Sequence, residues 1–399
     1  MAHESMRRRQ QRQARPLLMA HYMPWYEADP GRDRWGWHWT MNHFKPGRID
    51  GRSARREAAS RFYPRIGLYD SNDPDVLECH VLLMKLAGIG GVIIDWYGID
   101  DYLDYGLLHR NSQHLIRFAQ RAGLRFAVMY EEQTVPKLLE AGRIPGGDVV
   151  AHGKRVLGWL RGHWFEHPAY LRWEGRPVFL TFGSGYYTGE QWRAIFAELS
   201  PPISYLVTQS APRGDAAVGA FCWPEPAKGT DAALAELDRF YPRAKDWPRF
   251  VAGAFPRFED VYEAAGVHPS WGRIEDRGGA VYRETLENAL KSGAPVTQLV
   301  TWNDWGEGTM IEPSVEFGYR DLEATQELYR RHVDSRMPYA PADLRLPVAL
   351  YLLRKKRGGD TGRPAVLGEV SRRLFAGRAR EARALLAEKY PDALAYASR

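Results

Sequence analysis

DPDVLECHVLLMKLAGIGGVIIDWYG, residues 73–98, is the stretch that decides the fold. It opens with Asp73 and Pro74, a good N-cap followed by a residue pre-set for a first helical turn. Apolar residues then recur at helical spacing until Gly88, a natural helix stop. GGVIIDWYG (90–98) follows at once. This apolar run is strand-length, β-branched and bounded by glycine, so it reads as a buried strand. The strand ends on Asp95, Trp96 and Tyr97, an acid and two aromatics, where the chain should emerge from the core.

The same unit recurs outward from this stretch. LLMAHY (17–22) is the first strand and GGVIIDWYG the second; LRFAVMYEE (124–132) is the third, after a helix at about 111–122. RPVFLTFG (176–183) follows a helix at about 149–166, and ISYLVTQS (203–210) follows EQWRAIFAEL. VGAFCWPEP (218–226), RFVAGAFPRF (249–258) and PVTQLVTWND (295–304) complete eight runs, with helices before the last two, the final one at 281–293. Eight strands with mostly helical connections predict a (β/α)8 TIM barrel. A doubly wound sheet is the alternative, but it needs a phosphate-binding glycine pattern after the first strand, and the sequence has none there. Residues 27–72 form a long, Trp- and Arg-rich first βα loop, expected to shape a cleft. The domain reading is a disordered basic tail over 1–16, a barrel over 17–338, and an Arg-, Ala- and Leu-rich helical extension over 339–399.

The 399 residues are 44% hydrophobic and 26% charged, which places the chain among globular proteins able to bury a large core. Net charge is +6, with a good part of it in Arg7, Arg8, Arg9, Arg12 and Arg15. No RNA- or DNA-binding motif accompanies that tail, so no nucleic-acid partner is expected. Cys79 and Cys222 lack metal-site spacing and form no disulfide framework, and both are expected as buried free thiols. No apolar run reaches membrane length, so no membrane partner is expected. The start does not resemble a secretory leader, which gives cytoplasmic as the expected location. Aromatics reach 13%, many of them near Gly, Pro, His and acids, a pattern suited to stacking on the flat C–H faces of sugars.

TWNDWGEGTMIEPS (301–314) sets Asp304 and Glu307 three residues apart beside Trp302, Asn303 and Trp305. Glycosidic cleavage generally uses two carboxyl groups, one as acid and one as base or nucleophile. An aromatic wall raises a carboxyl pKa and keeps the group protonated. Equally, Asn303 and Asp304 fit the cap of a turn with Glu307 in its first helical turn. The segment resembles the WNEW-x-EGT-x-IEP segment of glycoside hydrolase family 99. HYMPWY (21–26), MKLAGIGGVIIDWYG (84–98), EHPAYLRWEGRPVFLTF (166–182) and VYRETLENAL (281–290) resemble other family segments in order and spacing, over roughly residues 17–330.

That resemblance implies a barrel acting on α-linked glycans, mannoside-like, with retention and endo action. It implies that Asp304 takes the proton of the sugar 2-hydroxyl, which attacks its own anomeric carbon, and that Glu307 is the general acid/base. The family has Glu where this chain has Asp304, a carboxylate one methylene shorter. Substrate-binding candidates are Tyr22, Trp25, Tyr26, Asp95, Trp96, Glu131, Glu132, Trp223, Asn303 and Trp305. Glu225 ends the sixth strand; His38 and His43 in the first loop, His167, and Glu312 as a loop anchor, read more simply as structural. No metal and no cofactor is implied, and the expected partner is an oligo- or polysaccharide. The alternatives are a cytosolic polysaccharide-biosynthesis protein and a non-catalytic glycan-binding barrel.

Overall fold

The computed structural model describes residues 15–183, 185–211, 214–356 and 364–398. All but the last two residues of the expected basic tail therefore lie outside the described residues. The barrel strands are β1 (Leu17–Tyr22), β2 (Gly91–Trp96), β3 (Arg125–Glu131), β4 (Arg176–Phe182), β5 (Ser204–Thr208), β6 (Gly219–Phe221), β7 (Val251–Ala254) and β8 (Val296–Leu299). Neighbours pair in parallel around the ring, and β1–β8 and β3–β4 pairing completes a closed (β/α)8 barrel. The helices between strands are α1 (Pro74–Ala87), α2 (Tyr105–Ala122), α3 (Val149–Leu160), α4 (Gly189–Phe196), α5 (Thr230–Ala244) and α6 (Ala280–Lys291). The described residues between β5 and β6 form no helix.

α1 shows why the deciding stretch folds as it does. The Asp73 carboxylate accepts the Asp75 N–H at 2.9 Å, Pro74 occupies the first turn, and Gly88 closes the helix at φ +86°. Its C-terminal N–H returns to the Lys85 carbonyl. Such caps satisfy backbone groups that a helix end leaves free.

Strand alternation sorts the core into two shells. Met19, Ile93, Met129, Leu180, Leu206, Phe221, Val251 and Val296 fill the barrel interior. The alternate residues, such as Leu18, Ala20, Val92, Ile94, Phe126 and Val128, pack outward against the helices. The ladder keeps this parity in register, pairing Ile93 with Ala127 and Asp95 with Met129.

After α7 (Arg320–His332), the chain forms α8 (Arg345–Lys356), α9 (Ala365–Phe375), α10 (Ala379–Lys389) and α11 (Pro391–Ser398). α8 and α9 lie on α1: Arg354 pairs with Asp75 at 3.1 Å and Glu78 at 2.6 Å, and Ser371 donates to Glu78 at 2.9 Å. These ion pairs are largely buried, and truncating one partner would strand a buried charge. No helix among the described residues is long and apolar enough to cross a membrane.

Candidate active site

The segment after β8 is buried throughout residues 301–314 and stitched to the barrel top by its backbone. Trp302 N–H donates to the His21 carbonyl at 2.6 Å, and Ile311 and Glu312 N–H donate back to Trp302. Tyr26 Oη donates to the Asn303 carbonyl and accepts from Trp305 N–H, both at 3.0 Å. The Asn303 side chain clasps Met23, accepting its N–H at 2.8 Å and donating to its carbonyl at 3.0 Å. Tyr69 Oη accepts from Asn303 and Trp305 side chains and donates to Glu312 at 2.8 Å. Glu312 also holds His80 at 3.1 Å, whose other ring nitrogen meets Tyr22 Oη at 3.0 Å. This polar lattice lies behind the loop and fixes it from outside the lumen.

On that scaffold Asp304 and Glu307 sit at 3% and 6% exposure. Glu307 N–H donates to Asp304 Oδ1 at 3.0 Å, so Asp304 does cap the turn that carries Glu307. Thr301 Oγ1 accepts Asp304 N–H at 2.8 Å. The turn needs Gly308, which stands at φ +69° and where a Cβ would come within 2.9 Å of the Glu259 carbonyl. Burial lifts the Asp304 carboxyl to about 7. Burial, then the charges of Asp304 and Asp260, push Glu307 well above the usual carboxylate range. Tyr262 Oη donates to Glu307 Oε1 at 3.4 Å, while Glu307 Oε2 is buried with no protein partner.

Parity decides which strand-end residues share this mouth. Asp95 and Glu131 face inward, and they raise or lower each other: burial and then Glu131 push Asp95 well up, while burial lifts Glu131 to about 7. The charges of Asp304 and Glu307 also act on Asp95, so four carboxyl groups form one electrostatic unit. Asp95 Oδ1 is buried and unpartnered. Trp223 also faces inward, with its ring 4.9 Å from His21 and 4.7 Å from Phe182. Burial holds His21 down to about 3, so this side chain is neutral and lends no counter-charge. Trp25 lies at the rim, stacked 4.0 Å from His38.

Several expected contacts are corrected by the same parity. Trp96 follows inward-facing Asp95 and so points outward, donating to His109 at 3.1 Å among Trp159 and Trp164. Glu132 follows Glu131 and is spent on the Tyr186 and Tyr187 N–H groups at 2.6 and 2.9 Å. Tyr22 follows His21 and belongs to the lattice behind the loop. Tyr26, Asn303 and Trp305 are also lattice members, fully or almost fully buried, with their polar groups already bonded. Glu225 is exposed and takes Gln209 at 3.1 Å. His43 is exposed, and His167 accepts the Ala169 N–H in a local turn. Both cysteines are buried free thiols.

Sequence reasoning missed Tyr262 and Tyr97. Tyr97 follows Trp96, so parity returns it inward, where its ring edges Trp25 at 6.5 Å and the Asp95 and Glu131 charges reach it. Tyr262 lies in the loop after β7, bonded through its neighbours to the segment after β8: Glu259 and Val261 N–H donate to the Glu307 and Gly306 carbonyls at 2.8 and 3.1 Å. Its only sequence signal was an aromatic following a strand end.

Residues 15–205 match the model of the family described as Glycosyl hydrolase family 99. Over these residues the chain is similar to that family. Glycoprotein endo-alpha-1,2-mannosidase of Mus musculus is 24% identical over 377 residues, 81% of this chain and 76% of that protein. The Mus musculus protein called glycoprotein endo-alpha-1,2-mannosidase-like protein is 24% identical over 333 residues, 75% of this chain and 69% of its own. The solved GH99 endo-alpha-mannosidase of Bacteroides thetaiotaomicron superposes with TM-score 0.61 at 20% identity, over 80% of this chain and 98% of its own, which shows that the barrel fold is shared. The match to the family model ends at residue 205, before the carboxylate loop.

Proposed function

We propose that the protein is a retaining glycoside hydrolase that cleaves α-linked mannosides within a glycan chain. The observation that carries this reading is the Asp304–Glu307 turn, two buried carboxyl groups of different character at the C-terminal mouth of a family 99-like barrel. Active sites of such barrels lie at that mouth.

The two acids divide the work by their surroundings. Glu307, pushed furthest up and with Oε2 free, keeps its proton and gives it to the leaving glycosidic oxygen. Asp304, near 7, is ionised often enough at neutral pH to accept the proton of the sugar 2-hydroxyl. That oxygen then attacks the anomeric carbon as the glycosidic bond breaks, forming an epoxide-like intermediate. Water opens it while Glu307 takes back the water proton, and the 2-hydroxyl recovers its own from Asp304. Two inversions leave net retention. The short Asp304 side chain is held by the Glu307 and Gly306 N–H groups, which offsets part of the freedom a shorter acid has. Asp95 and Glu131, inward at the ends of β2 and β3, offer polar contacts for the hydroxyls of the bound sugar.

The test is NMR-monitored digestion of α-linked manno-, gluco- and galacto-oligosaccharides by the native protein, Asp304→Asn and Glu307→Gln. The reading expects cleavage of manno-oligosaccharides with the α anomer formed first, and its loss in both variants. A β anomer as first product, or full activity in either variant, overturns it.

A further inference from the structure

Beside Glu307 the loop after β7 carries an aromatic surface that the chemistry described so far does not use. Tyr262, whose hydroxyl meets Glu307, lies 4.4 Å from the His268 ring and 5.4 Å from the Trp271 ring. His268 and Trp271 stack at 5.1 Å with their planes 14° apart. Trp271 is 48% exposed, far more than the Trp residues inside the fold. A single exposed apolar side chain is ordinary, but here the indole is one ring of a three-ring surface beside Glu307.

The loop is built to hold that ring still. A short ribbon, Phe258–Glu259 against Arg273–Ile274, closes its base. The buried Asp260 carboxylate accepts Ser270 Oγ at 3.0 Å, Trp271 N–H at 2.9 Å and Tyr262 N–H at 3.3 Å. The ribbon strand is in turn bonded to the backbone of Gly306 and Glu307. The shelf therefore has a fixed position relative to Glu307. A general acid stands on the leaving-group side of the scissile bond, because its proton goes to the departing oxygen. A flat aromatic face anchored beyond it, backed by His268, matches the C–H face of a sugar ring.

Resting on the glycosidase reading, we infer that Trp271, backed by His268, is the stacking platform for the leaving-side sugars, and so sets the preference for cleavage within a chain over release of a small leaving group. The test compares an α-1,2-linked manno-oligosaccharide with α-mannosyl fluoride, whose leaving group makes no leaving-side contacts. Trp271→Ala should lower kcat/KM for the oligosaccharide by about tenfold more than for the fluoride, and Trp271→Phe should recover most of the loss. Equal losses on both substrates, or none on the oligosaccharide, overturn the platform. Binding reads the same surface without turnover. The oligosaccharide should bind Glu307→Gln more tightly than Glu307→Gln/Trp271→Ala by a similar factor, and equal affinities overturn the inference. A native protein that turns over neither substrate but still shows this affinity difference would sink the glycosidase reading and leave the platform standing.

Discussion

Asp304→Asn should abolish turnover and yet stabilise the fold, increasingly so as pH rises. Burial lifts the Asp304 carboxyl from its ordinary 3.8 to about 7. Below about pH 4 the carboxyl is protonated in both folded and unfolded chains, so it contributes nothing to the difference. From there to about pH 7 the folded chain holds the proton more tightly, so stability falls as pH rises through this window. At about 1.4 kcal/mol per pH unit, the ceiling on that loss is about 4 kcal/mol, of which about 2 kcal/mol falls between roughly pH 5.5 and 8. Asparagine keeps the Oδ1 that accepts the Glu307 N–H, so the turn survives while the ionisation does not. Urea unfolding of both proteins at several pH values measures the difference. A stability gap that stays flat, or narrows with rising pH, refutes burial as the cause of the shift and with it the division of roles between the two acids.

Other outcomes follow from the same geometry. The acidic limb of the kcat/KM profile should fall near pH 7 and not near 4, because the base is a buried carboxyl; a limb near 4 on α-mannosyl fluoride would contradict this. Asn303→Ala leaves the Met23 N–H and carbonyl buried without partners and should cost about 2–4 kcal/mol in urea unfolding, more than Asn303→Asp, which keeps the acceptor. Asp95→Asn should unfold within about 1 kcal/mol of the native protein at pH 7, since burial pushes that carboxyl towards the neutral form an amide mimics, whereas Asp95→Ala should lose clearly more.

The barrel was largely legible from the sequence because its signals are local and repeated. Caps such as Asp73–Pro74 and Gly88, and strand-length apolar runs between them, are read residue by residue. Several strand-end candidates were misplaced, for one reason. Candidates were taken as adjacent pairs at strand ends, Asp95 with Trp96 and Glu131 with Glu132, and a strand can turn only one of each pair inward. The core already gave the phase: Met19, Ile93 and Met129 face in, so His21, Asp95 and Glu131 must, and Tyr22, Trp96 and Glu132 cannot. Tyr97 could have been recovered by the same count. Tyr262 could not, since its place beside Glu307 depends on a loop whose course no short-range pattern specifies.

The two readings weighed for TWNDWGEGTMIEPS, a capped turn and a catalytic pair, are compatible in one arrangement. Asp304 accepts the Glu307 N–H as a capping residue would, and that bond is what aims Glu307 while leaving its Oε2 unpartnered. The tryptophans read as walls for a sugar instead anchor the loop from behind: Trp302 lies beside His80, and Trp305 donates to Tyr69. Their burial raises both carboxyl pKa values by excluding water from the turn, so they tune the acids without touching a glycan. The aromatic excess thus serves two purposes that sequence alone does not separate. Trp302 and Trp305, at 0% exposure, shield the acids from water, whereas Trp223 and Trp271 keep partly exposed rings. Glu312→Gln separates the two. It keeps the shape of the anchor but removes the charge that holds Tyr69 and His80. If the lattice positions the acids, the substitution lowers kcat for α-mannosyl fluoride and oligosaccharide alike, with KM nearly unchanged. A rise in KM confined to the oligosaccharide would instead place Glu312 in sugar binding and undo the assignment of the lattice as scaffold.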